Sequence, residues 1–342
     1  MQQAQAGRQR LACLDGLRGA LALGVVAIHA GQQIGYPLPA QALVAALGDG
    51  GLAVALFFVL SGLVIFNSIE SFKGRPVPFL VARAARIYPV YLIALAVSLP
   101  FAATLASLPG HVAAHVAMVH GMFPADTFRG VLLSIPPPAW SLSVEWQFYL
   151  MAILAVMATG LRRWPVTVLL MLAGLAGVWL GAGFTPGFLL NNAHYFALGI
   201  ATSALFPLRS RWGWAGFAAA TACCVGILVL RGVAPRMLVP VGWLAVIGAQ
   251  VWPRGPLRPV GAVLRSGPLQ WLGRVSYSLY LIHFPILLML ASLWRPAGAA
   301  VLLHWLWIAL AFCLSFIAAD GLQRLVETPC TRWGHRVTRR AA

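Results

Sequence analysis

Residues 14–30 read LDGLRGALALGVVAIHA. Apart from Asp15, Arg18 and His29, every residue in this run is apolar or glycine. With its flanks the run reaches the roughly 20 residues that cross the hydrocarbon core of a bilayer. Arg18 and His29 are eleven positions apart. On a helix that is about 1100° of rotation, some 20° past three full turns, so both side chains leave one face. They stand roughly 16 Å apart along the axis, close to the reach of an extended pantetheine arm.

Apolar runs of this kind recur along the chain. Their lengths predict an all-α, polytopic membrane protein of about ten spans, at roughly 14–32, 50–69, 88–107, 140–160, 165–183, 189–206, 214–231, 237–252, 276–294 and 300–321. The run from Leu189 is the weakest, being short and interrupted by Asn191, Asn192 and His194. Residues 108–139 carry His111, His115, His120 and Asp126 before Pro136, Pro137 and Pro138, and suit an external loop with a partly inserted helix. The ordering predicts one membrane-embedded domain over 1–342, with its core at 11–332 and no appended soluble domain.

Composition agrees. Hydrophobic residues make up 61% of the chain and charged residues 9%, far below the roughly 25% with which a soluble domain solvates its surface. The excess of Lys and Arg does not indicate nucleic acid, because no soluble face exists to carry a basic patch. It follows the positive-inside rule instead. With both termini cytoplasmic, all but Arg129, Arg231, Arg236 and Arg295 of the 24 Lys and Arg fall on the cytoplasmic side of an inner membrane. The N-terminus shows no small-residue cleavage site, so the first run is expected to remain as a helix. Five cysteines lack metal-ligand spacing, and no metal is expected.

A charge in hydrocarbon costs at least about 2.5–3.5 kcal/mol near a helix centre, so the polar residues that persist there are functional candidates. Asp15, Arg18, His29, Glu145 and His283 are such residues. In RPVPFLVARAARIYPVY, Arg83 and Arg86 are one turn apart, and two guanidinium forks side by side match a pyrophosphate. Taken by itself, the pair is better accounted for by a basic belt facing lipid phosphate. In PPPAWSLSVEWQFYLM, Ser141 suits a helix cap after Trp140, and Glu145 falls in the first turns, where the helix dipole favours a carboxylate. A carboxylate near a histidine also orients the ring and offsets its positive charge. In GRVSYSLYLIHFPILLML, Tyr280 and His283 share a face. Ser61 and Gly62 in FFVLSGLVIF suit close helix packing.

In this order the segments resemble the membrane-bound acyltransferase family 3. The resemblance is carried by LDGLRG with the Arg-x10-His spacing from Arg18 to His29, FFVLSG at 57–62, and the Arg83–Arg86 pair. WSLSVEWQFYL at 140–150, SYSLYLIHFPI at 276–286 and VETP at 326–329 complete it. It implies a cytoplasmic acyl-CoA donor, usually acetyl-CoA, gripped by Arg18, Arg83 and Arg86, and an essential His29. It also implies O-acylation of a carbohydrate or lipid-linked sugar of the cell envelope, in contact with membrane lipids. Family members commonly carry two acidic residues where this chain has Glu145 and Trp146. Many also carry an extracellular esterase-like domain, so transfer here is expected to finish in the membrane domain or through a separate periplasmic partner.

The expected chemistry is acyl transfer with His29 as general base or transient nucleophile and Glu145 holding its ring. Asp15, Ser61, Trp140, Ser141, Tyr280 and His283 are further site candidates. The competing reading is a proton-coupled transporter or flippase, in which His29 and Glu145 carry protons and the arginines hold an anionic or lipid-linked substrate.

Overall fold

The lipid interior offers the backbone no hydrogen-bond partner, so long apolar runs must satisfy their own N–H and C=O groups as helices. The computed structural model describes residues 11–35, 50–102, 107–123, 135–180, 185–206, 211–296 and 301–340. Every regular element among them is helical. Asp126, Arg8, Arg10, Arg129 and Arg209 lie outside the described residues.

In chain order the helices are α1 (Ala12–Ile34), α2 (Gly51–Ser71), α3 (Pro76–Ser98), α4 (Leu108–Val116), α5 (Trp140–Thr159), α6 (Arg163–Leu180) and α7 (Ala193–Ser203). They continue with α8 (Arg211–Leu230), α9 (Leu238–Val251), α10 (Arg258–Leu264), α11 (Gly267–Leu293), α12 (Val301–Leu322) and α13 (Thr328–Arg340). Eight helical stretches among the described residues are long and apolar enough to cross a membrane. The two remaining expected spans, 189–206 and 237–252, fold as the short α7 and α9, of 11 and 14 residues. At 1.5 Å per residue, α7 covers only about 16 Å of a core about 30 Å thick. It is tolerated because every one of its residues is buried by protein. The broken backbone before it is satisfied by side chains: Asn192 Nδ2 donates to the Pro186 and Phe188 carbonyls, and Arg231 to those of Gly177 and Asn191.

Two helix starts differ from expectation. α3 begins at Pro76 rather than near residue 88, and α11 at Gly267 rather than near 276, each with proline in its first two positions. Proline there loses nothing, since its missing N–H would be unpaired anyway. Hydropathy marks only the apolar part of each helix, so the apolar spans leave out the turns carrying Arg83 and Arg274. Ser141 is also not a cap: α5 follows a 3-10 turn at Pro137–Ala139, and Ser141 Oγ donates back to the Pro138 carbonyl at 3.3 Å.

The chain forms two compact units. The first comprises Met1–Val54 and Val241–Glu327. Its principal packing sets α1 against α11. The two backbones approach so closely that a Cβ on Gly273 would stand 2.2 Å from the Asp15 carbonyl oxygen. A π-turn, Gln323–Glu327, ends α12 and brings the buried Glu327 to Ser278 Oγ of α11 at 2.8 Å. The glutamate of VETP therefore has a structural partner on the helix that carries His283.

The second unit comprises Ala55–Pro240 and Thr328–Ala342. Here α2 crosses α7 through a pair of glycines: a Cβ on Gly62 would lie 2.1 Å from the Phe196 carbonyl oxygen, and one on Gly199 2.0 Å from that of Val59. Close backbone approach through small residues is the expected mode of helix association in lipid. The entrance to α5 is clamped by side chains. Ser143 Oγ donates to the Met118 carbonyl at 2.8 Å, and Gln147 bonds the Gly187 carbonyl and the Leu189 N–H. Over this entrance His115 and His120 stack with ring centroids 4.0 Å apart, and His120 Nε2 donates to the Ala139 carbonyl at 3.2 Å. Burial lowers His115 to about 4 and His120 to about 3, the latter further disfavoured by facing His115.

Gly62→Ala should cost about 1–3 kcal/mol through overpacking and lower the thermal midpoint in detergent. Gly226→Ala, with no atom within 4 Å of the new Cβ, should not; equal midpoints would refute the α2–α7 crossing. The histidine pair predicts acid lability with a defined sign. Below 6.5 the unfolded chain binds protons that the folded pair refuses, so the contribution is full above 6.5 and is lost as pH falls towards 4 and then 3. His120→Gln keeps a donor without the titration, and midpoints measured down this range should fall less steeply than in wild type.

Candidate active site

Each unit carries a cluster of the expected polar residues. In the first, α1 presents His29 and α11 presents His283, joined by a 2.8 Å contact between His29 Nδ1 and His283 Nε2. The planes are 10° apart and the centroids 5.1 Å apart. That separation is the 2.8 Å bond plus two ring radii, so the imidazoles lie end to end in nearly one plane. Phe284 closes against His29 edge-on, also at 5.1 Å.

The network assigns both tautomers. His283 Nδ1 lies 3.0 Å from the carbonyl oxygen of Leu279, one turn back on α11. A carbonyl only accepts, so Nδ1 carries the proton, and the neutral ring then offers Nε2 as an acceptor. His29 Nδ1–H must be the donor across the pair. This leaves the lone pair of His29 Nε2 as the basic atom. His283 is fully buried, whereas His29 is only half-buried. The reacting position therefore falls to His29, with His283 as the group behind it. Tyr280, 7% exposed, is tilted against His283 at 6.3 Å. Towards the start of α1, Arg18 pairs with Asp15 at 3.4 Å.

In the second unit, Glu145 of α5 accepts a 2.5 Å hydrogen bond from Ser61 Oγ of α2. Arg83 of α3, 8% exposed, donates from Nη2 to Ser68 Oγ at 2.7 Å. Tyr149 bonds both the Arg83 guanidinium and the Glu145 carboxylate, with Arg86 contributing a second positive charge. Arg83 Nε is buried and has no partner among the described residues. The cluster thus sets two guanidinium groups against one carboxylate and keeps a buried donor unspent, an arrangement suited to an anion. Trp140 stands apart from this network, its ring edge-on to Phe58 at 6.1 Å.

Of the expected residues, the structure brings His29 to His283, Arg18 to Asp15, and Ser61 to Glu145, with Arg83 and Arg86 beside that carboxylate. Sequence reasoning missed Tyr149 and Ser68. Each had a signal: Tyr149 is four residues after Glu145, and Ser68 seven after Ser61, so each shares a helix face with a residue already singled out. Among the described residues no group of three His, Cys, Asp or Glu side chains could hold a metal.

Comparison with known proteins gives this geometry a context. A family described as an acyltransferase domain matches residues 11–324. The chain is 29% identical to acyltransferase MdmB of Streptomyces mycarofaciens, over 94% of this chain and 92% of that protein. It is 25% identical to peptidoglycan O-acetyltransferase OatA of Listeria monocytogenes, over 96% of this chain and 57% of OatA. Protein 2 in the picA locus of Rhizobium radiobacter is 36% identical over 41% of this chain and 80% of its own length. No solved structure matches. With the family covering nearly the whole chain and eight apolar helices among the described residues to carry it, the chain belongs to the acyltransferase 3 family and is a multi-pass membrane acyltransferase.

Proposed function

We propose that this protein moves an acyl group, acetyl in the simplest case, from cytoplasmic acyl-CoA to a hydroxyl of a carbohydrate or other cell-envelope acceptor. The reading rests first on His29: its tautomer is set from behind, and its one lone pair is left available for a proton. Nε2 takes the acceptor hydroxyl proton as the oxygen attacks the thioester carbonyl. The C–S bond then breaks, and the imidazolium returns its proton to the departing thiolate. Through this step His29 Nδ1–H stays bonded to His283 Nε2, so His283 shares the developing positive charge and holds the ring in plane. His283 is here a positioning residue.

Arg83 and Arg86 are proposed to bind the phosphates of the donor, with Arg18 as a further anchor. The unpaired Arg83 Nε and the excess positive charge around Glu145 support this. Glu145 and Tyr149 hold Arg83 in place without neutralising the cluster. The acceptor class is supported by one relative, whose name records O-acetylation of peptidoglycan.

The test is release of CoA from acetyl-CoA by protein in liposomes, with and without envelope extract as acceptor. His29→Ala should lower acceptor-dependent release by about 10²-fold or more. Persistence of wild-type release would remove His29 from the chemistry, and no release by wild type with several acyl-CoAs would refute the donor.

His283→Phe should lower kcat by at least about tenfold while leaving KM for acyl-CoA nearly unchanged, because the tautomer is no longer held. His283→Gln retains an acceptor oxygen and should recover part of the loss. Equal damage by both variants would mean that His283 serves packing alone.

Arg86→Gln should raise KM for acetyl-CoA about tenfold but leave turnover of acetyl-pantetheine, which lacks the nucleotide phosphates, unchanged. A parallel loss with both donors would remove Arg86 from phosphate binding.

A further inference from the structure

Where α9 ends and the chain turns into α10, the surface opens into a cleft of about 710 Å³. It is lined by Leu244, Gly248, Val251, Trp252, Arg254 and Leu257. Leu244 and Trp252 are 45% and 53% exposed, so the described residues leave part of this apolar surface open. The outer face of α10 adds exposed Val260 and Val263, bracketed by Arg258 and Arg265.

The charges here are one-sided. Between Glu145 and Asp320 the chain contains no acidic residue, while Arg254, Arg258, Arg265 and Arg274 follow one another within this stretch. Arg265 is engaged, donating to the Ala249 carbonyl at 2.9 Å. Arg254 and Arg258 take part in none of the ion pairs among the described residues. An apolar slot lined by Arg254 and followed in the chain by Arg258, both outside the ion pairs of the described residues, is complementary in a membrane-crossing chain to an amphiphile with an anionic head. A soluble anion would have no use for the slot, and a neutral lipid none for the arginines.

We propose that this cleft is a binding site for one anionic phospholipid, with an acyl chain between Leu244, Trp252 and Leu257 and the phosphate held by Arg254 and Arg258. The arginine distribution assigns this turn to the cytoplasmic side, where such lipids are concentrated.

The cleft is joined to the helix bearing Arg18 and His29. Gly16 of α1 packs so tightly on α10 that a Cβ there would lie 1.8 Å from the Leu264 carbonyl oxygen. Gln270 Nε2 ties the Ala12 and Leu264 carbonyls together at 2.7 and 2.8 Å. Gln250 of α9 accepts the Cys13 N–H at 3.1 Å. A lipid seated between α9 and α10 therefore braces two of the elements that, with α11, hold the first turn of α1.

Native mass spectrometry of the full chain, equilibrated with equal phosphatidylglycerol and phosphatidylcholine of matched acyl chains, tests the site directly and independently of any activity. Wild type should retain phosphatidylglycerol over phosphatidylcholine by about fivefold or more, and the double variant R254Q/R258Q should bring the ratio near one. Both substitutions are at exposed positions, and unfolding midpoints will report whether the variant is folded. Soluble glycerophosphoglycerol and inorganic phosphate, added separately, should leave the retained lipid in place. In a second measurement, phosphatidylglycerol brominated at mid-chain should quench part of the emission of the 13 tryptophans, and Trp252→Phe should reduce the quenched fraction. Unchanged retention in R254Q/R258Q, displacement by either soluble anion, or equal quenching with and without Trp252 would each overturn the proposal.

Discussion

Inside a bilayer no water is available to complete a hydrogen bond, so each polar group carried there must find its partner within the chain. That constraint organises this protein at every level. It makes the regular elements helical, and it matches Ser278 to Glu327 and Gln147 to Gly187 and Leu189. It sends Arg231 to the carbonyls of a broken segment. Short polar networks hold helices in register, with Arg83 Nε among the few buried donors left over, while apolar contacts supply the bulk of the packing.

The same constraint gives the site its definition. In water, an imidazole exchanges tautomers freely. Buried against the Leu279 carbonyl, His283 has one tautomer available, and it imposes the complementary one on His29. A single backbone carbonyl on α11 thereby decides which nitrogen of a histidine on α1 is basic. In the other cluster, Ser68 and Tyr149 hold the Arg83 guanidinium while its Nε remains unspent. Both clusters are preorganised by neighbours that were not themselves conspicuous as chemistry.

Much of the architecture was legible beforehand because hydropathy and turn residues act locally. The long spans, the polar residues stranded in them and the close approach at Gly62 all follow from runs of twenty residues or fewer. Helix and apolar stretch part company where tertiary context decides. α3 and α11 extend through charged turns beyond their apolar stretches, and α7 and α9 are shorter than a span, α7 being shielded on all sides. Ser141 had the chemistry of a cap, but the 3-10 turn at Pro137–Ala139 moved the helix start ahead of it.

By itself, then, the sequence determined that the chain crosses a membrane, which residues share a face of each helix, and where charge persists despite its cost. Helical periodicity suffices for these, since it is a property of neighbours three or four residues apart. Which polar residue answers which was decided only by the tertiary structure. His29 and His283 are 254 positions apart, and Ser61 and Glu145 84 apart. No local pattern encodes such pairings. They arise because glycines at the crossings let the backbones come close enough for short side chains to meet, and because in a dry interior a polar group left unmatched would cost more than the helices gain by packing any other way.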